Sequence, residues 1–166
     1  MDELARRLAG VAFSGLTQDE VTGRIIDEVA AWGLARGWRV YRRAPSVVTL
    51  PPPLDKQHSV VDVALARPAA PPIVVEVDHT DRRRTVEKLL AEAAAGRVAV
   101  WVRWGPGRIA EPPAPIHLIA LPVTRGRGRY SRRTGPDRPA PTHSEAVPGA
   151  GEVAELPLPE AGERSL

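Results

Sequence analysis

The 166-residue sequence contains no cysteine, and its only sulfur atom belongs to Met1. The absence of thiols excludes disulfide bonds, thiolate nucleophiles and zinc sites with sulfur ligands. Any metal ion bound by the side chains must therefore be held by oxygen atoms or by imidazole nitrogens. The sequence also lacks a continuous apolar run of the ~18–20 residues that a membrane helix needs, so we expect a cytoplasmic protein with no membrane partner.

Lysine is scarce as well, because only Lys56 and Lys88 among the 23 basic residues are lysines and the others are arginines. The 20 acidic residues leave a net charge of +3. This balance permits a nucleic-acid partner without requiring one, since a GC-rich coding bias also favours arginine over lysine.

The composition changes near Pro122. Residues 123–138 carry six arginines against one aspartate, whereas residues 139–166 carry five glutamates against Arg164. Large apolar side chains are too few there to offset the entropy of ordering, so we expect a folded domain over 1–122 and a disordered tail over 123–166. The Arg-Gly-Arg-Gly-Arg run resembles flexible nucleic-acid-binding segments, and it is equally typical of a solvated tail that pairs with its own acidic end.

The first 122 residues predict an α/β domain with the element order α-β-β-β-α-β-β. The first strong helix begins at Thr17, whose spacing to Glu20 is that of a capping box. Two β-branched runs are joined by a loop too short for a crossover helix, so they are expected to be antiparallel neighbours. The strands are predicted over Trp38–Arg43 with Val47–Leu50, Ser59–Ala66, Ile73–Asp78, Val98–Trp104 and Ile116–Leu121, and the second helix over Arg82–Ala95.

Acidic residues interrupt two of these apolar strands, Asp62 in the first β-branched run and Glu76 and Asp78 in the second. Carboxylates are disfavoured in strands and costly to bury without partners, so a role for them is expected. Because side chains alternate along a strand, a register that places Asp62 beside Glu76 makes a cluster of two or three carboxylates. Like charges so close are usually stabilised by a hard divalent cation, here Mg²⁺ or Mn²⁺.

This arrangement resembles the PD-(D/E)XK (restriction-endonuclease-like) nuclease superfamily over about residues 17–104. The resemblance implies a mixed sheet flanked by helices, with the core order α-β-β-β-α-β, and metal-dependent hydrolysis of phosphodiester bonds in nucleic acid. Carried over by position, the resemblance implies that Asp62 is the metal-binding aspartate and Glu76 the acidic residue of the second half-motif, with Asp78 as the further candidate ligand. Asp78 stands where the family has lysine, and Val61 where it often has proline.

In that family the lysine helps to orient or activate the attacking water, and some members are thought to supply it from the following helix. This chain offers Lys88 there, although ~100° per residue places Lys88 at the solvent side of the predicted helix. Lys56, Arg82 or Arg83 are alternative cations, and His79 is an alternative base or ligand. The segment TDRRRTVEKLL also resembles, more loosely, actinobacterial replication–relaxation-type proteins.

The resemblance further implies a glutamate on the first helix, for which Glu20 and Glu28 are candidates. Glu20 already belongs to the capping box, and Glu28 lies closer to the apolar stripe, so Glu28 is the predicted site residue. Its alternative role is an ordinary ion pair with Arg24, four residues earlier. Phosphate contacts are predicted for six arginines: Arg39, Arg42, Arg43, Arg82, Arg83 and Arg84.

Two other functions are compatible with the same residues. Asp78 at the lysine position favours a catalytically inactive nuclease-fold module that binds nucleic acid or a protein partner. The excess of arginine is also consistent with a structural domain whose strand carboxylates form salt bridges. An enzyme should lose cleavage on Glu76→Ala, a binding module should bind without cleaving, and a salt-bridged domain should do neither.

Overall fold

A computed structural model describes residues 1–134, which form three helices and eight strands. The helices are α1 (Asp2–Ala9), α2 (Gln18–Ala35) and α3 (Arg83–Ala94). The strands are β1 (Phe13–Leu16), β2 (Arg39–Thr49), β3 (His58–Arg67), β4 (Ala70–Asp78), β5 (Val98–Gly105), β6 (His117–Pro122), β7 (Thr124–Gly126) and β8 (Arg129–Arg132). No helix in this part of the chain is long and apolar enough to cross a membrane.

The main sheet has the strand order β2-β3-β4-β5-β6, and helices cover both of its faces, so the α/β class with a mixed sheet is confirmed. The strands β2, β3 and β4 are antiparallel neighbours, whereas β4, β5 and β6 run parallel. The predicted antiparallel β3–β4 pair is confirmed, and its connection is tight, since Arg67 already pairs with Ala70. The predicted central position of β5 and edge position of β6 are confirmed too.

Each face of the main sheet carries its own apolar core. The larger core packs α1 and α2 on one face and includes Ile25 and Val29 of α2 and Val75 of β4. The smaller core packs α3 on the other face and includes Leu89 of α3 and Val74 of β4. The start of α2 follows the predicted capping box: the Thr17 hydroxyl accepts from the Glu20 amide, and the Glu20 carboxylate accepts from the Thr17 amide at 2.7 Å.

The β2–β3 pair bends in its middle. Its register continues on either side of Arg43, which has a φ of 50°. Val63 packs in the core on the α2 side and Val61 in the core on the α3 side, although residues two apart in a regular strand share one face. Backbone pairing of β3 with β4 ends at Val63. The outer part of the β2–β3 hairpin, residues 44–61, therefore leaves β4 and packs against α3.

The arginine-rich segment that was predicted to be disordered is folded over residues 124–132. There β7 and β8 form a hairpin, and β8 also pairs with β1, giving a second sheet of order β1-β8-β7. Arg127 and Gly128 both have positive φ, 51° and 74°, as in the tight two-residue turns that suit hairpins.

Two residues hold this segment to the rest of the domain, although its composition does not reveal them. Tyr130 is buried in the larger core, and Arg132 Nη1 donates to the carbonyl oxygens of Leu8, Ala9 and Val11 at the end of α1. The boundary predicted at residue 122 is therefore wrong, because the compact unit extends to Thr134. The rest of the predicted tail, residues 135–166, lies outside the described residues.

Candidate active site

A cleft of about 470 Å³ opens where β3 separates from β4. Its lining includes Asp62, Glu76, Asp78 and Lys88, which are four of the five predicted catalytic residues. The start of α2 also lines the cleft, with Gln18, Asp19 and Thr22. The carboxylates that strand alternation predicted to cluster therefore all line the same cleft.

Asp62 lies at the point where the β3–β4 ladder stops. The pairing of Val63 with Val75 places Asp62 beside Glu76, as the predicted register required. Asp62 Oδ2 accepts from the Val77 amide at 2.8 Å, so a side-chain hydrogen bond joins β3 to β4 where their backbone pairing has ended. Burial raises the pKa of Asp62, the Val77 amide opposes that rise, and the negative charge of Asp78 adds to it.

Glu76 is buried, with its side chain 8% exposed, and its partner is Lys88, whose Nζ lies 2.6 Å from Glu76 Oε1. This contact is an ion pair, and Glu76 Oε1 has no aligned hydrogen-bond donor among the described residues. Burial raises the pKa of Glu76 to about 7, Lys88 opposes that rise, and the charges of Asp62 and Asp78 add to it.

Lys88 does not point to solvent, as the helical estimate suggested, and its side chain is only 12% exposed. Besides the Glu76 contact, Nζ donates to the carbonyl oxygen of Val60 at 2.6 Å. The lysine therefore bridges the strand carboxylate and the bent hairpin.

The estimate failed because α3 does not bury the centre of its apolar face. Its buried residues are Thr85, Leu89 and Glu92, two of them polar. At ~100° per residue, Lys88 lies about 65° from the centre of that buried line. The bent hairpin supplies hydrogen-bond partners for Glu92 and Lys88 on the inward side of α3, which a helical wheel does not represent.

Glu92 is the buried residue that sequence reasoning missed. It is fully buried, and its Oε1 accepts from the Ser46 hydroxyl and from the Val47 amide at 2.8 Å. Its Oε2 lies 2.6 Å from Arg97 Nη1. Glu92 therefore fastens the outer hairpin to α3, and the only sequence signal was an acid three residues after Leu89 with Arg97 following it.

Asp78 is held at the edge of the cleft. Its Oδ2 accepts from Trp101 Nε1 at 3.0 Å, and its Oδ1 lies 3.8 Å from Arg82 Nε. Arg103 fixes the turn after β4, because it donates to the Asp78 carbonyl and to Asp81. Across residues 1–134, no three His, Asp or Glu side chains are grouped closely enough to hold a metal ion. The three-carboxylate ligand set is therefore not formed among the described residues, and the neighbouring pair in the cleft is Asp62 with Glu76.

His79 connects the cleft to the second sheet. Its ring stacks on Trp104 with centroids 4.4 Å apart, and its Nε2 lies 3.0 Å from the Tyr130 hydroxyl. Burial lowers the pKa of His79, contact with the Trp104 backbone opposes this, and the charges of Arg103 and Arg125 lower it further. At neutral pH the ring is therefore an uncharged wall of the cleft.

The structure does not bring Glu28 to the cleft. Glu28 Oε2 lies 3.0 Å from Arg7 Nη2, and its Oε1 lies 3.8 Å from Arg24 Nε, so it belongs to a surface ion-pair group. Only the first turns of α2 line the cleft. The angle between a glutamate and the apolar stripe does not show how far along the helix the cleft extends, so it could not exclude Glu28.

The six predicted phosphate-contacting arginines divide into two sets. Arg82 and Arg84 line the cleft, and the charge of Arg43 lowers the pKa of Asp62. The others lie elsewhere: Arg83 pairs with Glu87, Arg42 pairs with Asp27, and Arg39 lines a separate pocket beside Gly37. The alternative cation Lys56 is exposed in the turn between β2 and β3.

The cleft therefore combines two neighbouring carboxylates, the half-buried Asp62 and the buried Glu76, with one lysine in contact with Glu76 and arginines at the rim. Carboxylates in such a position can accept a cation or a proton, and the rim can contact an anion. Protein-family models, curated proteins and solved structures were all compared with the chain, and none matches it.

Proposed function

We propose that this chain is a metal-dependent nuclease-like protein that hydrolyses phosphodiester bonds of nucleic acid in the cleft of Asp62, Glu76 and Lys88. The observation that carries the proposal is the position of Lys88, whose ammonium group lies 2.6 Å from Glu76. The cation that the strand lacks at Asp78 is supplied from α3 instead.

The two strand carboxylates fit a hard divalent cation. Asp62 and Glu76 present oxygen atoms, the ligands that Mg²⁺ and Mn²⁺ prefer, and the negative charge of Asp62 raises the pKa of Glu76. Glu76 Oε1 has no aligned hydrogen-bond donor among residues 1–134, so it has coordination capacity left. A bound cation there would activate water and offset the charge that builds on the phosphate.

The protein's own residues hold the reacting groups in place. The Val77 amide fixes Asp62, and the Val60 carbonyl fixes Lys88 beside Glu76. The Lys88 ammonium can orient a water molecule and donate to a phosphate oxygen, because it has three N–H donors. Arg82 and Arg84 at the rim are placed to contact neighbouring phosphates.

The test is cleavage of labelled single-stranded DNA, duplex DNA and RNA by the full chain with Mn²⁺ or Mg²⁺. We expect cleavage by the wild type and a loss of about 100-fold or more in Glu76→Ala and in Lys88→Met. Glu87→Ala is the matched control, because Glu87 is an exposed acid on the same helix, and it should cleave as the wild type does. Absence of cleavage, or full activity of Glu76→Ala, would contradict the proposal.

A second candidate function is a catalytically inactive module that binds nucleic acid. It is favoured by the Trp101 contact of Asp78 and by the lack of a third clustered ligand in the described part of the chain. Such a module should bind nucleic acid in a salt-sensitive way and cleave with neither cation. The same assay, read for binding and for cleavage, separates the two functions.

A further inference from the structure

The β7–β8 hairpin carries arginines at unusual positions. Arg43 and Arg127 are the two residues other than glycine with positive φ between residues 1 and 134. An L-residue in this region costs ~1 kcal/mol relative to glycine, which would suit the hairpin tip equally well. The chain nevertheless has an exposed arginine at the tip, and Arg125 and Arg129 on the strands next to it.

Contacts place the hairpin beside the cleft. The Arg125 guanidinium lies 5.7 Å from the centre of the Tyr130 ring, and the Tyr130 hydroxyl lies 3.0 Å from His79, which lines the cleft. Arg129 donates to the Gly15 carbonyl and lies 3.7 Å from Glu20, in the first turn of α2. Gln18 and Asp19 of the same turn line the cleft.

The residues that line the cleft carry too much negative charge to attract a polyanion without further positive charge nearby. Its four carboxylates are balanced by three cationic side chains, of which Lys88 and Arg82 face carboxylates of the cleft itself. Arg125 and Arg127 are exposed and have no carboxylate partner among the described residues. Exposed arginines next to an acidic site supply the positive potential that a phosphate backbone requires.

We propose that the β7–β8 hairpin, residues 124–132, binds the sugar-phosphate backbone of a nucleic-acid strand and holds it beside the cleft. Arg125 and Arg127 contact phosphates, and the Tyr130 ring keeps the Arg125 guanidinium in place. This inference rests on the proposed function for its class of ligand, but it concerns binding and not cleavage.

The test is the binding of labelled single-stranded DNA, duplex DNA and RNA to the full chain without metal, followed by fluorescence anisotropy between about 50 and 200 mM salt. The variant is Arg125→Gln/Arg127→Asn, since asparagine tolerates positive φ. We expect affinity at low salt to fall about tenfold to 100-fold. The slope of log affinity against log salt should become shallower by about 1.4 for single strands or about 1.8 for duplex.

The matched control is Arg6→Gln/Arg24→Gln, which removes the same charge from exposed positions on α1 and α2. It should keep both affinity and salt slope. An equal loss in this control, an unchanged hairpin variant, or no binding by the wild type would each overturn the proposal. Displacement by polyglutamate as effective as by unlabelled nucleic acid would also overturn it, in favour of an acidic polypeptide partner.

Binding and cleavage, both measured on the wild type and on the hairpin variant, separate this inference from the proposed function. If the wild type never cleaves but its binding depends on the hairpin, the nuclease proposal fails and the hairpin proposal stands. If cleavage occurs but binding does not depend on the hairpin, the hairpin proposal fails and the nuclease proposal stands.

Discussion

Glu76 and Glu92 are both buried glutamates on the α3 side of the main sheet, yet their surroundings differ. Both oxygens of Glu92 are engaged, by Ser46, Val47 and Arg97. Glu76 has the Lys88 ammonium as its partner, and burial raises its pKa to about 7. A buried carboxylate whose two oxygens both have hydrogen-bond or ion-pair partners has a structural role. A buried carboxylate that faces a cleft and has a single cationic partner can still bind a ligand.

The largest expected effect on stability comes from Glu92→Ala. The substitution leaves the Ser46 hydroxyl and the Val47 amide without their acceptor and releases the outer hairpin from α3. We expect the free energy of unfolding to fall by about 3 kcal/mol, at the lower end for a broken buried pair because Arg97 is partly exposed. Urea unfolding measures this, and Glu87→Ala should stay within about 0.5 kcal/mol of the wild type. A small loss in Glu92→Ala would remove the distinction between the two glutamates.

Glu76→Gln should instead stabilise the protein as pH rises through 7. The folded-state pKa of Glu76 is raised from 4.5 to about 7, so its stabilising contribution is full below pH 4.5 and is lost as pH rises through 7. Glutamine carries no charge, so the variant should gain stability relative to the wild type over this window, by about 3 kcal/mol at most. The lost ion pair with Lys88 reduces the gain. Urea unfolding across the window would contradict this if the difference between the two proteins did not change with pH.

Lys88→Met should have the smallest effect on stability. Without the ammonium group, ionised Glu76 is buried unpaired, and taking up a proton limits the cost. We expect a loss of about 1–2 kcal/mol above pH 7 and almost none near pH 4.5, where Glu76 is protonated in both proteins. Equal losses at both pH values in thermal unfolding would show that Lys88 acts mainly through packing.

The sequence was sufficient for features that depend on neighbours along the chain. Alternation and a short loop predicted the β3–β4 pair and the placement of Asp62 beside Glu76. The capping box predicted the start of α2 at Thr17. These features follow from the backbone's local periods, which residue types reveal directly.

Features that depend on distant segments were mispredicted. The direction of Lys88 follows from the bent hairpin, whose Val60 carbonyl accepts from Lys88 and whose Val47 amide donates to Glu92. The β7–β8 hairpin is held by Tyr130 and by Arg132, whose three carbonyl acceptors lie more than a hundred residues away. Composition treats such an arginine as solvated, because it carries no information about the acceptors that the fold brings to it.

The most direct test of the central claim is thermal stabilisation by Mn²⁺, measured slightly above pH 7, where Glu76 is ionised. A ligand that binds the folded chain raises its melting temperature. Excess Mn²⁺ should stabilise the wild type and Glu92→Gln, and it should not stabilise Glu76→Gln or Asp62→Asn. An unresponsive wild type, or a Glu76→Gln variant that responds as strongly as the wild type, would contradict the assignment of this carboxylate pair as a cation site.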